Sequence, residues 1–368
     1  MKFTIHRDVL LNALQKAQSV VEKKSTVAIL ANILCTVQDN QLSISATDLE
    51  VCVRIVLPID MGENGKLTLS AKHFLDIVKE LPGRPLQVSS KDNNWVEILS
   101  GKSRFNIVSL AADEYPALPA FDEKTYFDAR VEALRNMIDR TSFSVSTDST
   151  RYHLNGVYFE HLGNAVMRMT ATDGHRLSLV DMEVFKETPE LKRGLIIPKK
   201  GLMELRKLLD TNAASIGIAF ERGYLFAHMN DTHLFVRLIE GEYPDYRGVI
   251  PQSNERQADL DRETLNSALK RVSLLAHEKS RGVKLSLGNG VLTISSSNPD
   301  MGEARDEMDV DYAGEQIDIG FNAKYLLDCL SIMKSDKIRL SFRDRVSPGI
   351  LREADQGNHT YVIMPMRI

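Results

Sequence analysis

The chain has 368 residues and a formal net charge of −4; 43% of its residues are hydrophobic and 26% charged, so it can fill globular cores and is not a disordered chain. Its three cysteines, Cys35, Cys52 and Cys329, stand far apart with no Cys-x-x-Cys pair, which gives no basis for a zinc site or a disulfide framework, and they are expected to be buried reduced thiols. No apolar run approaches the roughly 18 residues of a membrane span, and charges interrupt the opening Met-Lys-Phe-Thr-Ile-His-Arg-Asp segment where a signal peptide would be apolar, so a cytoplasmic protein with no membrane contact is expected.

In chain order, Leu10, Leu14, Ala17 and Val21 recur at helical spacing and predict an amphipathic helix. The alternation from Gln41 to Ala46 predicts a strand with one buried face, and Phe74, Ile77, Val78 and Leu81 predict a second helix. The pattern then starts again. Val131, Leu134 and Ile138 predict a helix, Val166 to Ala171 a strand, and Leu202, Leu205 and Leu209 another helix. Ser215–Phe220 and Leu234–Ile239 read as closing strands. Leu265, Leu269 and Val272 open the third round, and the run from Tyr325 to Met333 supplies its second helix.

The repetition extends to individual residues. Ile44-Ser-Ala-Thr-Asp48 reappears 125 residues later as Met169-Thr-Ala-Thr-Asp173, and more faintly after another 125 as Ile294-Ser-Ser-Ser-Asn298. Glu114-Tyr-Pro116 recurs as Glu242-Tyr-Pro244, 128 residues on. A period this long is a whole domain rather than a solenoid unit. Pro and polar residues cluster near 121–124 and 251–256, dividing the chain into three homologous domains at 1–121, 122–251 and 252–368. Two helices among many closely spaced strands indicate an α+β fold, with helices packed on antiparallel sheets.

Charge is segregated by element. The six helical segments (7–24, 72–84, 130–151, 199–207, 262–281 and 324–337) together carry +11, which leaves −15 for the rest of the chain. Solvated helix faces are normally charged, but helices gathered on one side would present this surplus to phosphates. Contacts to phosphate alone are independent of sequence and permit sliding. No recognition helix, zinc finger or aromatic RNA-stacking motif is present to read bases, which weighs against a sequence-specific regulator. The enzyme alternative rests on Asp173 and His175 as an acid–base pair. No nucleophile elbow, phosphate loop, metal-ligand motif or dinucleotide fingerprint accompanies them. Asp48 occupies the equivalent place followed by Leu49 and Glu50, so the repeated Asp reads as a turn former and no catalytic residue or cofactor is expected.

Four runs carry a family likeness: Arg151-Tyr-His-Leu-Asn-Gly156, Ala171-Thr-Asp-Gly-His-Arg-Leu177, Glu242-Tyr-Pro-Asp-Tyr-Arg247 and the ending Tyr361-Val-Ile-Met-Pro-Met-Arg-Ile368. In order and across the whole chain, they resemble the bacterial replicative sliding clamp, the beta subunit of DNA polymerase III holoenzyme. The resemblance implies a non-enzymatic processivity factor: a head-to-tail homodimer whose six domains close a ring around double-stranded DNA, helices inward. Its implied partners are a clamp loader, the replicative polymerase and other proteins bearing a clamp-binding peptide.

By the same resemblance, a peptide pocket between the second and third domains is lined by Leu154, Thr172, Gly174, His175, Arg176, Leu177, Pro244, Arg247 and Val249. Val362, Ile363, Met364, Pro365, Met366 and Arg367 join it from the C-terminus. Methionines suit a surface shared by many peptides, and Arg176 and Arg247 would fix polar groups. On residues alone, Val362 to Met366 reads as an edge strand interrupted by Pro. DNA-facing positions matched to the family are Lys24, Arg151, Tyr152, His153, Lys199, Lys200 and Arg206, with Lys279 and Arg281 added by charge and position. At the subunit joint, Phe105 and Ile107 would face Leu274 and Leu275. Two departures stand out. The loop from Lys23 to Leu30 lacks the Arg-Pro and second Pro of relatives, and Ser296-Ser-Asn-Pro-Asp-Met-Gly302 replaces the Ala-Thr-Asp motif, so no third-repeat pocket is expected.

Overall fold

The structure, a computed structural model, describes residues 1–21, 27–119, 126–191, 193–251, 255–355 and 357–367. Among the described residues there are six α-helices, two per repeat: α1 (Arg7–Gln18), α2 (Ala71–Glu80), α3 (Val131–Thr141), α4 (Lys199–Leu208), α5 (Arg262–Val272) and α6 (Ala323–Ile332). Their starts follow capping chemistry. Asp261 accepts the Thr264 N–H at 2.8 Å ahead of α5, Asn322 accepts the Lys324 N–H at 2.9 Å ahead of α6, and Ser70 caps α2.

Helix α1 buries Leu10, Ala13, Leu14 and Ala17 as their spacing requires, but stops before Val21. Ser19 donates to the Lys16 carbonyl at 2.9 Å, and the Val20 N–H bonds the Ala17 carbonyl, so the last turn tightens and closes. Val20 and Val21 are buried outside the helix.

Among the described residues the named strands pair antiparallel, both within each repeat and across repeats. The first repeat contributes a five-stranded sheet in the order 62–63, 2–6, 85–90, 95–100 and 103–108, with Ser103–Val108 at one edge. The third contributes a four-stranded sheet ordered 302–309, 291–298, 282–288 and 317–322, with Gly302–Asp309 at one edge.

The middle repeat has no sheet of its own. Its strands 127–130, 215–221, 224–229 and 232–237 continue into 51–58, 41–47, 32–38 and 65–70 of the first repeat, through pairs from Thr232↔Ile55 to Val236↔Val51. Its strands 195–198, 156–163, 166–172 and 176–183 continue into 359–363, 349–353, 337–342 and 256–261 of the third, through pairs from Arg176↔Ile363 to Val180↔His359. Two compact units result: residues 1–131, 185–189 and 200–238, and residues 132–184, 190–199 and 239–368. The strand His359–Ile363 is therefore interior, flanked on both sides, and not the edge strand its Pro suggests; its ladder ends at Ile363, and beyond Pro365 Met366 makes an isolated bridge to Gly320.

The cores are apolar and follow the strand period. In the first unit Phe3, Leu10, Ile33, Ile44, Phe74 and Val88 are fully buried. In the second, Leu265, Leu269, Val283, Ile294, Phe321 and Tyr361 belong to one cluster. Each such side chain contributes about 1.5–3 kcal/mol of burial. The three cysteines are buried free thiols, and burial pushes Cys35 and Cys52 up to about 12.

Candidate functional site

The second unit contains every residue matched to the expected peptide pocket. Its central feature is the tight turn between the strands Val166–Thr172 and Arg176–Glu183. Asp173 Oδ1 accepts the N–H groups of His175 (2.9 Å) and Arg176 (3.0 Å), and its other oxygen accepts Arg176 Nε at 3.1 Å. Thr172 donates its hydroxyl to the Arg176 carbonyl at 2.6 Å and accepts the Gly174 N–H at 3.1 Å. The turn needs φ +89° at Gly174, where a Cβ would come within 2.7 Å of Arg151 Nη1.

The first unit contains the same turn. Thr47 bonds the Val51 carbonyl and the Leu49 N–H, while Asp48 accepts the N–H groups of Glu50 (2.9 Å) and Val51 (2.7 Å). Asp48 also pairs with Lys200. The recurring Asp is thus a turn former in both repeats, and both oxygens of Asp173 are engaged without His175's ring. Among the described residues no cluster of three or more His, Cys, Asp or Glu is arranged to hold a metal.

Arg176 is the keystone beneath the turn. Its guanidinium donates to Asp328 at 2.6 Å and to the Phe143 carbonyl at 2.6 Å, and lies over the rings of Phe143 (5.4 Å) and Tyr325 (4.5 Å). Its side chain is only 8% exposed. The expected anchor for peptide groups is instead committed to binding strand, turn and α6 together.

The tail joins the turn directly. Leu177 pairs with Val362, Arg176 with Ile363, and the Met364 N–H donates to the His175 carbonyl at 2.9 Å. Strand alternation sends Val362 and Ile363 to opposite faces. Val362 joins Leu177, Leu179, Tyr246 and Ile350 in a small apolar cluster, while Ile363 enters the core of the third repeat with Tyr361. Ile363 accordingly contributes backbone, not side chain, to a surface formed by Leu177 and Val362. Met364 is 37% exposed, Pro365 and Met366 are half-buried, and Arg367 is exposed.

Pro244, Arg247 and Val249 are exposed on the segment that carries Tyr246 into that cluster. Leu154 is buried at the end of the 3-10 turn Ser149–Leu154. Two tyrosines of this segment were not singled out by the sequence. Tyr243 accepts the Thr172 N–H at 3.1 Å and stacks on Tyr158 at 5.0 Å, and Tyr246 donates to Glu160. Burial raises both phenols above their ordinary values. The repeated Glu-Tyr-Pro carried the signal: Tyr115, its first-repeat copy, is likewise buried and bonds the Ser45 carbonyl at 3.3 Å.

The basic positions fall in both units. In the second, Arg151 pairs with Asp148 at 3.0 Å, and Tyr152 is 56% exposed and edge-on to His153. Lys279 and Arg281 are exposed, Arg281 with φ +49°. Lys199 is held below the ordinary lysine value by burial first, then by the positive charges of Arg176 and Lys324, with Asp328 opposing. Lys200 and the half-buried Arg206 lie in the first unit. Lys24 lies outside the described residues.

At the expected joint, Phe105 and Ile107 share one face of the edge strand Ser103–Val108, both half-buried. Leu274 is 74% exposed and Leu275 half-buried on the 3-10 turn Ser273–Leu275.

Against known proteins, residues 1–119, 129–245 and 247–367 match in order the family models of the DNA polymerase III beta subunit N-terminal, central and C-terminal domains. The beta sliding clamp of Pseudomonas aeruginosa is 36% identical over 371 residues, covering all of both chains. The solved sliding clamp of Bacillus subtilis superposes with a TM-score of 0.95 at 31% identity, over 100% of this chain and 99% of that one. A P. aeruginosa sliding clamp solved bound to griselimycin matches with a TM-score of 0.93 at 35% identity, over the full length of both.

Proposed function

The chain belongs to the DNA polymerase III beta subunit family, the beta sliding clamps, and from that membership we propose how its surfaces divide the work of a processivity factor. It is a DNA sliding clamp and an accessory factor to the polymerase. We infer that two copies meet head to tail and close a ring of six repeats around duplex DNA. The observation that carries this reading is the threefold repeat itself, matched domain by domain and in order.

The two sheet edges supply a joint. Ser103–Val108 offers Arg104 beside Phe105 and Ile107, and Gly302–Asp309 carries Glu303, Asp306, Glu307 and Asp309 beside Leu274. Pairing these strands between copies would satisfy two rows of open backbone groups and bring opposite charges together. A heterologous contact of this kind forms a ring only if it closes.

Arg151, Tyr152, His153, Lys199, Lys200, Arg206, Lys279 and Arg281 are the proposed contacts to the duplex, with Lys24 expected among them from the sequence. Burial depresses Lys199 first and the charges of Arg176 and Lys324 add to it, so a nearby phosphate would offset the charge contribution. Such contacts carry no sequence information, and retention comes from topology. The proposed peptide surface is formed by Thr172, Gly174, His175, Leu177, Pro244, Arg247, Val249, Val362, Met364, Pro365, Met366 and Arg367 over buried Leu154, with Arg176 as its support. It would receive the polymerase, a clamp loader and other proteins bearing the peptide, raising their local concentration at the primer end.

The test is release. Loaded onto circular DNA with a clamp loader and ATP, the protein should stay bound, and cutting the circle should free it. Persistence on cut DNA with open ends would overturn the ring.

A further inference from the structure

The segment 243–249, which forms one wall of the proposed peptide surface, has little of its own to hold it: its only regular element is the 3-10 turn Arg247–Val249. It lies instead across a row of side chains on one face of the eight-stranded sheet of the second unit. Glu160 is the cross-strand neighbour of Arg168, and Arg168 of Asp181. Arg168 grips Asp181 through two bonds of 2.6 Å and donates to the Tyr246 hydroxyl at 3.3 Å. That hydroxyl donates to Glu160, whose other oxygen takes Arg247 at 2.9 Å. The Tyr246 ring packs with Leu177 and Val362, the floor of the same surface.

The other repeats show that the sheet does not need this row. At the equivalent register the first repeat has Thr36, Ser43 and Val56, and the third has Ser286, Thr293 and Glu307. Both build the same ladder without the linked charges. The complete row occurs only in the repeat that carries the proposed surface; Asp181 holds Arg168 in place, and Arg168 and Glu160 bond the wall through Tyr246 and Arg247.

Resting on the peptide-site reading above, we infer that Asp181–Arg168–Tyr246–Glu160 is a latch that positions the 243–249 wall, with Tyr246 and Glu160 acting as positioning residues that need not touch the peptide. Each bond to a charged group is strong enough that losing one should register as about a fivefold to tenfold change in affinity.

The experiment titrates a labelled Gln-Leu-Ser-Leu-Phe peptide against the full-length protein and the variants Tyr246→Phe, Glu160→Leu and Glu160→Gln, with urea unfolding of each as a control. Tyr246→Phe keeps the ring and its packing but loses the hydroxyl. It should weaken binding about fivefold to tenfold. Glu160→Leu should do the same, and the double variant Tyr246→Phe with Glu160→Leu should be no weaker than the worse single one, because both break one chain. Glu160→Gln keeps an acceptor for Tyr246 and should restore most of the affinity, a rescue that loss of packing would not produce. If the peptide binds the unaltered protein and Tyr246→Phe binds equally well, the latch is overturned while the peptide surface stands. If the unaltered protein does not bind at all, the surface itself is wrong and the latch falls with it.

Discussion

Arg140 donates to Glu353 at 3.1 Å in a site where the two side chains are 4% and 0% exposed. The pair ties α3 of the middle repeat to the strand Gly349–Glu353 of the third. Glu353 also accepts the N–H groups of Lys334 and Ser335, and His359 lies 3.3 Å away. Removing the cation leaves a buried carboxylate without its charge partner. Arg140→Met should cost about 3–5 kcal/mol, read as a lower urea midpoint with an unchanged slope. A loss below about 1 kcal/mol would mean that the backbone N–H groups alone satisfy Glu353.

His359 gives this cluster a pH dependence. Burial, and then the charge of Arg140, push it down to about 4 from an ordinary 6.5, while Glu353 opposes. The unfolded chain therefore binds a proton before the folded one does, and stability present above pH 6.5 is lost as pH falls toward 4. Glu353 adds to the loss at the lower end: burial raises it, but the two N–H groups, Arg140 and His359 outweigh that and hold it below its ordinary value. Urea midpoints at pH 7 and pH 5 should differ in the native protein, and His359→Gln should flatten the difference. An equal slope in that variant would move the effect elsewhere.

The paired turns make opposite predictions. Leu49 holds φ +77° at the place Gly174 holds +89°, and its side chain is 55% exposed, so it is strained with little burial in return. Leu49→Gly should stabilise the protein by up to about 1 kcal/mol, the relief of strain being partly offset by the freer unfolded chain. Gly174→Ala should destabilise by about 1 kcal/mol or more and weaken peptide binding, because both the conformation and Arg151 oppose a Cβ. Chemical unfolding of both variants reads the two signs.

The proposed subunit pairing would have a built-in reporter. Trp95, the single tryptophan, pairs with Val108 of the edge strand and is 44% exposed. Dilution should shift its emission as copies separate. Leu274→Asp should show the dissociated emission at every concentration and sediment as a monomer. A native sedimentation profile for that variant would remove Leu274 from the joint.

Local periodicity carried most of the fold into view. The spacing of Leu10, Leu14 and Ala17 or of Leu265, Leu269 and Val272 marks helices because one face must be buried, and the repeated Thr-Asp marks a turn because its side chains close it. Contacts that join distant stretches were not legible. Arg176 meets Asp328 across 152 positions and Tyr246 meets Glu160 across 86, and no local period records either partner. Arg176 thus read as an anchor for a peptide's polar groups, and its bonds to Asp328 and the Phe143 carbonyl were not visible in the sequence. The alternation of Tyr361, Val362 and Ile363 does contain the division between them: Tyr361 and Ile363 share the core face, and Val362 takes the other.

The middle repeat owns no complete sheet, and this governs what can be cut from the chain. Expressed alone, it would lay bare two strand edges at once, Thr232–Arg237 and Arg176–Glu183, each accustomed to a partner. Open edges recruit other strands. The isolated piece should aggregate or swap partners rather than persist as a monomer, so the smallest workable fragment of this molecule is larger than its smallest repeat.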